Sequence, residues 1–240
     1  PRSAYGALVS SSHMRASAYR VDPKDPRAPT HEQWEAMTPE EQAAVDGSLP
    51  SEFPVSELSP PEGDDHFNAK VGPKDALSGY FARIRRRVYL ACELPVYYPG
   101  EPMFAPDLIA ILDTGLHARR KWLVDKEKKG VDLALEVHVA GDRRKDLVRN
   151  AEKYARLGIT EYFIFDRGRL HLTGYRLPRG GARVYHPIVP QAGRFESAVL
   201  GLEVAIVGSR LRFFAGTAEV PESVEMISKL EGLVDELEQC

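Results

Sequence analysis

Residues 133–166 read LALEVHVAGDRRKDLVRNAEKYARLGITEYFIFD and combine strand-like and helix-like patterns. The apolar, partly β-branched run Leu133–Val139 predicts a strand. Residues Asp142–Leu157 predict a helix, because apolar side chains recur at helical spacing and Gly158 provides a stop signal. The nearly all-apolar run Tyr162–Phe165 is typical of a strand that is buried on both faces. The apolar stripe of the predicted helix consists of Leu147, Val148, Ala151, Tyr154 and Ala155.

Further helices and strands are predicted on both sides of this segment. Thr30 and Thr38 stand at capping positions ahead of two short helices, and Pro39 suits the first position of the second. Apolar residues at helical spacing predict an amphipathic helix over Ala76–Leu90. Short β-branched or aromatic runs predict strands at Leu94–Tyr98, Leu108–Leu112, Lys121–Val124, Leu170–Tyr175, Val184–Val189 and Leu211–Phe214.

Length and composition are those of an ordinary globular protein. The 240 residues are 43% hydrophobic and 28% charged, which excludes wholesale disorder and suits one core domain with extensions. Because no run of about 18 apolar residues occurs, we predict no transmembrane helix, and we expect no secretory signal. Cys92 and Cys240 are the only cysteines, so we exclude a disulfide framework and expect a cytoplasmic location. We divide the chain into a partly irregular N-terminal extension (1–49), a core domain (50–215) and an acidic C-terminal helix (216–240).

Charge is distributed unevenly along the chain. The net charge of −3 by itself argues against a protein that coats nucleic acid. However, residues 83–87 contain four arginines, residues 119–129 contain six basic side chains, and residues 143–156 form another basic set. Residues 219–238 contain seven acids and one lysine. A basic middle and an acidic end are therefore compatible with a local phosphate-binding surface.

Two carboxylates occupy unusual positions in the predicted strands. Asp107 directly precedes the strand Leu108–Leu112, and Glu136 lies inside the strand Leu133–Val139. A carboxylate in an apolar strand is costly unless it is paired or binds a cation. Two of them on neighbouring strands predict a hard-oxygen site for Mg²⁺ or Mn²⁺, which suits phosphoryl chemistry. The alternative is that Glu136 pairs with an arginine or lies on a strand with one solvated face.

His138 follows Glu136 by two residues and shares its face of the strand, because side chains alternate along a strand. It is a candidate for orienting water or a phosphate beside the carboxylates. A hydrogen-bonded core histidine is the alternative.

A longer pattern carries a family resemblance. The run FAPDL at residues 104–108 resembles the Pro-Asp element of the PD-(D/E)xK nuclease superfamily. Glu136, Asp146, the run YARLGI at 154–159 and the run EYF at 161–163 follow in an order that resembles the Uma family of restriction-endonuclease-like proteins. The resemblance extends over approximately residues 50–214, which is most of the chain.

This resemblance implies a fold and a reaction. The implied fold is a restriction-endonuclease-like mixed central sheet flanked by helices, with an N-terminal helical extension and a C-terminal helix. The implied reaction is Mg²⁺-dependent cleavage of DNA phosphodiester bonds by an endonuclease. In that reaction Asp107 and Glu136 are the metal ligands.

The lysine of the family pattern is missing from its usual position, which Asn150 occupies. Lys153, one turn further along the helix, and Lys145 are the alternative catalytic residues, although a solvated surface lysine is the other interpretation of Lys153. His66 lies near a histidine that family members often carry ahead of the first core helix.

Three basic clusters flank the acidic centre in sequence, and they contain Arg86, Arg120 and Arg144. Because lysine and arginine neutralise phosphates, these residues are candidates for binding DNA. Solvated helix and loop faces are the alternative.

Three functions follow from these patterns, and the metal-dependent endonuclease is favoured. The second is a catalytically degenerate module on a nuclease fold that binds nucleic acid or a protein partner, which Asn150 and the negative net charge suggest. The third is assembly into a homo-oligomer through the C-terminal helix, with no membrane involved. In that helix Ile227, Leu230, Val234 and Leu237 form a coiled-coil-like seam, although docking on its own domain is the alternative.

Overall fold

The computed structural model describes residues 19–52, 63–139, 145–178 and 181–238. Helices within these ranges are α1 (His31–Glu35), α2 (Pro39–Ser48), α3 (Asp64–Arg83), α4 (Val124–Glu127), α5 (Ala151–Leu157) and α6 (Ser223–Glu238), with a π-helical segment at Lys145–Asn150. Strands are β1 (Val88–Ala91), β2 (Val96–Tyr97), β3 (Leu108–Leu112), β4 (Trp122–Leu123), β5 (Leu133–His138), β6 (Glu161–Asp166), β7 (His171–Arg176), β8 (His186–Pro187), β9 (Phe195–Ser197), β10 (Leu202–Val207), β11 (Arg210–Ala215) and β12 (Ala218–Glu219).

A mixed sheet forms the centre of the fold, with the strand order β1-β3-β5-β6-β7-β8. Strands β5 and β6 are parallel, whereas the other neighbouring pairs are antiparallel. The polypeptide between β5 and β6 includes α5, as expected for a crossover between parallel strands. All six residues of β6 are buried, which agrees with its apolar sequence. The expected mixed α/β sheet with flanking helices is therefore confirmed.

Two apolar cores cover the two faces of this sheet. On one face Leu77 and Phe81 of α3 pack with Leu108 and Leu135 of the sheet. On the other face Tyr154 of α5 packs with residues of β3 and β5 whose side chains point the opposite way. The alternation of side chains along β3 and β5 thus places α3 and α5 on opposite sides of the sheet.

Smaller elements enlarge both cores. The four-stranded sheet β12-β11-β10-β9 adds Val204 and Phe213 to the core around α3. The parallel pair of β2 and β4 joins the N-terminal helices α1 and α2 through a third cluster, in which Trp34 and Val45 are buried. Thr30 and Thr38 cap these two helices with complete capping boxes, as predicted.

The helix predicted at Ala76–Leu90 is wrong at both ends. The observed helix, α3, begins at Asp64 and continues through Pro73, a residue type that usually breaks helices. It ends at Arg83, and Arg85 then adopts a positive φ of 57°, which turns the chain away from the helix axis. The next residues form strand β1, whose Val88 and Tyr89 enter the two different cores.

Several predicted elements are shorter than expected, and others were missed. Strands β2, β4 and β8 have two residues each, and β8 is an exposed edge strand containing Pro187, in agreement with the edge preference of proline. Strands β9, β10 and β12 were not predicted. The side chain of Val148 is half exposed, so it does not belong to the apolar stripe around Tyr154. Gly158 ends α5 with φ 81°, as its sequence position indicated.

No helix in the described part of the chain is long and apolar enough to cross a membrane.

Candidate active site

Asp107 and Glu136 lie opposite each other at one end of the central sheet. The antiparallel register pairs Leu108 of β3 with Leu135 of β5, so the preceding Asp107 faces Glu136 across the strands. The backbone N–H of Asp107 points to Oε2 of Glu136 at an N···O distance of 3.4 Å. The structure therefore brings together the two carboxylates that the sequence pattern singled out.

Groups on both sides of Asp107 hold its carboxylate. Oδ2 accepts a hydrogen bond of 2.7 Å from the backbone N–H of Val137. Oδ1 lies 3.6 Å from Nε2 of His66 and 3.9 Å from Nζ of Lys70. The side chain is only 14% exposed, so these groups restrict the direction in which the carboxylate can act.

Glu136 is oriented from the opposite face of the sheet. The Tyr154 hydroxyl in α5 donates a hydrogen bond of 2.6 Å to Oε1, and the Asn150 amide nitrogen lies at 3.5 Å from the same oxygen. Burial raises the pKa of Tyr154 well above its usual value, and the negative charge of Glu136 adds to this shift. The hydroxyl therefore remains a proton donor to Glu136 throughout the neutral range.

Helix α3 contributes two polar side chains, one turn apart, to the side of the site that faces Asp107. His66 is buried, and its Nε2 lies 3.1 Å from the Val137 carbonyl oxygen, which requires the proton to be on Nε2 because a carbonyl only accepts. Lys70 is 4% exposed, and its Nζ lies 2.6 Å from Oε1 of Glu93. The sequence pattern indicates His66 but not Lys70, because the predicted helix begins after both residues. Their spacing of four residues is the signal that a longer predicted helix would have revealed.

His138 is the last residue of β5 and shares the face of Glu136, as strand alternation predicts. In the parallel pairing with β6 its partner position is Asp166, a buried carboxyl at the end of that strand. The half-buried imidazole therefore lies at the same end of the sheet as the two carboxylates, and its catalytic role stays a prediction.

The predicted lysines occupy different environments. Nζ of Lys153 lies 3.8 Å from the centroid of the Phe104 ring, which is a cation–π contact. Phe104 is three residues before Asp107 in the sequence. The backbone of Lys145 opens the π-helical segment, and its side chain lies outside the described residues. Asn150 ends that segment and faces Glu136 at the position where the family pattern has lysine.

The three predicted DNA-binding arginines also differ. The guanidinium of Arg86 donates hydrogen bonds of 2.5 and 2.7 Å to the carbonyl oxygens of Leu200 and Val199. It therefore joins the turn after α3 to the segment before β10. Arg120 is exposed, and Arg144 lies outside the described residues. DNA binding by each of the three stays a prediction.

The two carboxylates form a donor set that fits Mg²⁺ or Mn²⁺. Each has oxygen lone pairs beyond those used in the hydrogen bonds described above. In phosphoryl-transfer sites Mg²⁺ takes one or two carboxylates and completes its shell with water and substrate phosphate. The residues that the structure describes contain no group of three His, Cys, Asp or Glu side chains that could hold a metal ion. Asp107 and Glu136 would therefore bind the ion with water and substrate as the other ligands.

The described residues thus form a mixed α/β sheet with Asp107 and Glu136 close together at one end. A sequence profile of the Uma2 family, described as "putative restriction endonuclease", matches residues 55–207. The protein belongs to the Uma2 family. Among solved structures, the crystal structure of a "putative nuclease belonging to DUF820" from Anabaena variabilis is similar, with a TM-score of 0.47 and 11% sequence identity. That similarity covers 60% of this chain and 78% of the other. No curated protein matches the chain.

Proposed function

We propose that this protein is a Mg²⁺- or Mn²⁺-dependent endonuclease that hydrolyses DNA phosphodiester bonds. The observation that supports this most directly is that Asp107 and Glu136 lie side by side at one end of the sheet. The backbone nitrogen of Asp107 is 3.4 Å from Oε2 of Glu136. Membership of a family described as "putative restriction endonuclease" supports the same reaction class. The cytoplasmic location stays a prediction from the cysteine content.

The side chains of the site have distinct tasks in this proposal. Asp107 and Glu136 would hold the cation, which would act as a Lewis acid that activates water and offsets negative charge on the phosphate. The Val137 N–H fixes the carboxylate of Asp107, and the Tyr154 hydroxyl fixes that of Glu136. Both carboxylates are therefore preorganised before substrate arrives, so little reorganisation is needed during the reaction.

A third group must position the attacking water or the phosphate. His138 is the first candidate, because it shares the face of Glu136 and lies two residues beyond it. Lys153 and Lys145 are the alternatives on the α5 side. Lys153 would have to exchange its contact with the Phe104 ring for a contact with substrate.

DNA is the proposed substrate because basic side chains flank the acidic site in sequence. Arg120 is exposed and available for a phosphate contact, and Arg144 belongs to the basic segment between β5 and α5. Arg86 has its guanidinium occupied by two backbone carbonyls, so a DNA contact there would use its remaining donor capacity. Binding through such contacts would weaken steeply with salt.

The test is metal-dependent nicking of supercoiled plasmid DNA by the full chain. We expect Asp107→Asn and Glu136→Gln each to reduce the nicking rate by at least about a hundredfold, because each removes the negative charge of one metal ligand. Asp113→Asn is the matched control, since Asp113 is an exposed aspartate at the far end of β3. Its positive φ of 54° is tolerated by asparagine, so activity should be unchanged. Nicking that survives both site substitutions would contradict the proposal, as would no binding of Mg²⁺ or Mn²⁺ in calorimetry.

A non-catalytic module that binds nucleic acid or a protein partner is the second candidate. Asn150 favours it, because an amide replaces the family lysine beside Glu136. Salt-dependent DNA binding with no cleavage under Mg²⁺ or Mn²⁺ would support this candidate, and metal-dependent nicking would reject it.

Self-association through α6 is a separate proposal about assembly. Its seam residues Ile227, Leu230, Val234 and Leu237 are each more than half exposed. Their spacing of three and four residues matches a two-heptad contact with the same helix of a second copy.

A further inference from the structure

Lys70 is a buried cation in the candidate site that the mechanism above does not use. Its side chain is 5% exposed, and Nζ lies between Oε1 of Glu93 at 2.6 Å and Oδ1 of Asp107 at 3.9 Å. Burying an ammonium group is costly unless charged partners compensate for the lost hydration. A buried ammonium group at the edge of an acidic site is therefore a candidate functional residue.

The closer partner of Lys70 faces solvent. The side chain of Glu93 is 57% exposed, and the residue adopts a left-handed conformation with φ 51° in the turn between β1 and β2. Its backbone N–H donates to the Pro106 carbonyl oxygen, which places this turn directly beside Asp107. A non-glycine residue at positive φ carries some backbone strain, and such residues concentrate at functional sites. The nearly buried ammonium of Lys70 thus pairs with a carboxylate that is more than half exposed.

We propose that Lys70 is the phosphate-binding cation of the active site. This proposal rests on the proposed function, and it assigns to α3 the positive charge that Asn150 does not supply on the α5 side. A phosphodiester carries one negative charge, as Glu93 does, so substrate can replace that carboxylate at the ammonium without changing the charge of the site. Asp107 is within 3.9 Å, so a phosphate held by Lys70 would lie next to a proposed metal ligand.

Binding of a short DNA duplex, measured by fluorescence anisotropy over a range of salt concentrations, tests this assignment. We compare the full chain with Lys70→Met, in the presence of Ca²⁺ to slow cleavage. Loss of one charge-assisted contact should weaken binding about tenfold. It should also reduce the slope of log affinity against log salt by about 0.9. Lys24→Met is the matched control, because Lys24 is exposed and lies outside the basic segments of the chain.

Thermal unfolding separates this role from a purely structural one. Removing one partner of a buried ion pair destabilises a protein, but Glu93 is 57% exposed and can be hydrated, so we expect only a moderate fall in the melting temperature of Lys70→Met. A large fall in melting temperature with an unchanged salt slope would overturn the proposal in favour of a structural ion pair. Unchanged affinity and slope would overturn it as well.

The outcome is distinguishable from failure of the proposed function. If the unmodified protein binds DNA but does not cleave it, the endonuclease proposal fails, and the salt slope of Lys70→Met still decides the role of Lys70. If it cleaves DNA and Lys70→Met binds normally, only the assignment of Lys70 fails. If the unmodified protein does not bind the duplex at all, both proposals are overturned.

Discussion

At the scale of single residues, Tyr154 shows how the core of the protein and its candidate site are connected. The ring is buried among Phe104 and Tyr162, with centroid distances of 5.4 and 5.0 Å, while its hydroxyl donates to Glu136. The aromatic packing fixes the hydroxyl, and the hydroxyl fixes the carboxylate. The pKa of Tyr154 is raised mainly by burial, so the phenol keeps its proton as the pH rises above neutrality.

We therefore expect Tyr154→Phe to impair cleavage more than stability. Removing the hydroxyl should lower the free energy of unfolding by about 1 kcal/mol, the usual contribution of one hydrogen bond. The nicking rate should fall about tenfold, because Glu136 loses the donor that orients it. Chemical denaturation and plasmid nicking measure the two effects.

Tyr185→Phe is the control for this substitution. The hydroxyl of Tyr185 also donates a hydrogen bond, of 2.8 Å, but to the carbonyl oxygen of Ile159 and not to a site residue. It should show a similar loss of stability with unchanged nicking. Equal effects of both substitutions on nicking would mean that Tyr154 acts only through stability.

The candidate site could be predicted from sequence only where local pattern determines it. Asp107 and Glu136 follow from their positions on two apolar strands, and His138 follows from strand alternation. Lys70 does not, because its contacts join α3 to Glu93, 23 residues further along the chain. The four-residue spacing could have placed Lys70 on the same face of α3 as His66, but no local period reports its contact with Glu93, which tertiary packing alone creates.

At the scale of secondary-structure elements, Arg86 connects the end of α3 to the segment that leads into β10 of the four-stranded sheet. Its two hydrogen bonds to the carbonyl oxygens of Leu200 and Val199 cross 114 and 113 residues of sequence. The guanidinium also lies 5.5 Å from the centroid of the Phe81 ring at the end of α3. Arg86, which the sequence indicated as a DNA contact, thus also stabilises the fold.

Arg86→Ala and Arg120→Ala should therefore differ in their effects: the first should lower stability, and the second should weaken DNA binding. The first should lower the free energy of unfolding by about 2–4 kcal/mol, because two carbonyl groups lose charged donors. The second should leave stability nearly unchanged, since Arg120 is exposed. It should instead reduce the salt slope of DNA binding by about 0.9.

Denaturant unfolding and anisotropy distinguish these profiles. If Arg86→Ala were as stable as the unmodified protein and bound DNA less tightly, the residue would be a DNA contact whose carbonyl interactions contribute little. If Arg120→Ala left the salt slope unchanged, Arg120 would not contact phosphate.

Secondary-structure elements could be predicted where local sequence pattern determines them, and not where tertiary packing does. Strand β3 was predicted with its observed bounds, because its apolar run stops where Asp113 adopts φ 54°. Helix α3 was misplaced, since Pro73 interrupts its local pattern while packing still maintains the helix through that residue. Propensity is a weak guide where a long element is held by burial against a core.

At the scale of the whole molecule, α6 is the least integrated helix. None of its residues is buried, yet its first turn is fixed to the rest of the protein. The buried guanidinium of Arg212 pairs with Glu225 at 2.5 Å, and the Ser223 hydroxyl donates to Asp75 at 2.7 Å. The remainder of the helix exposes its apolar seam, a pattern expected for a surface that another polypeptide covers.

The geometry also determines which variants can test self-association. Deleting the segment from Pro221 would remove Glu222 and Glu225, two of the carboxylates that pair with the buried Arg212, and would leave it with Glu219. Loss of mass after such a deletion would be difficult to separate from unfolding. Substitutions within the seam avoid this problem, because the residues at its centre and far end contact neither Arg212 nor Asp75.

We therefore predict that Leu230→Gln combined with Leu237→Gln converts a dimer into a monomer. Glutamine has a helix propensity close to that of leucine, so α6 should persist while its apolar seam is interrupted. Lys229→Gln is the control, because Lys229 is exposed and lies off the seam of the same helix. Light scattering at several protein concentrations should give twice the chain mass for the unmodified protein and the control, and a single chain mass for the double variant. A monomeric unmodified protein, or a double variant that remains dimeric, would show that α6 does not join two copies.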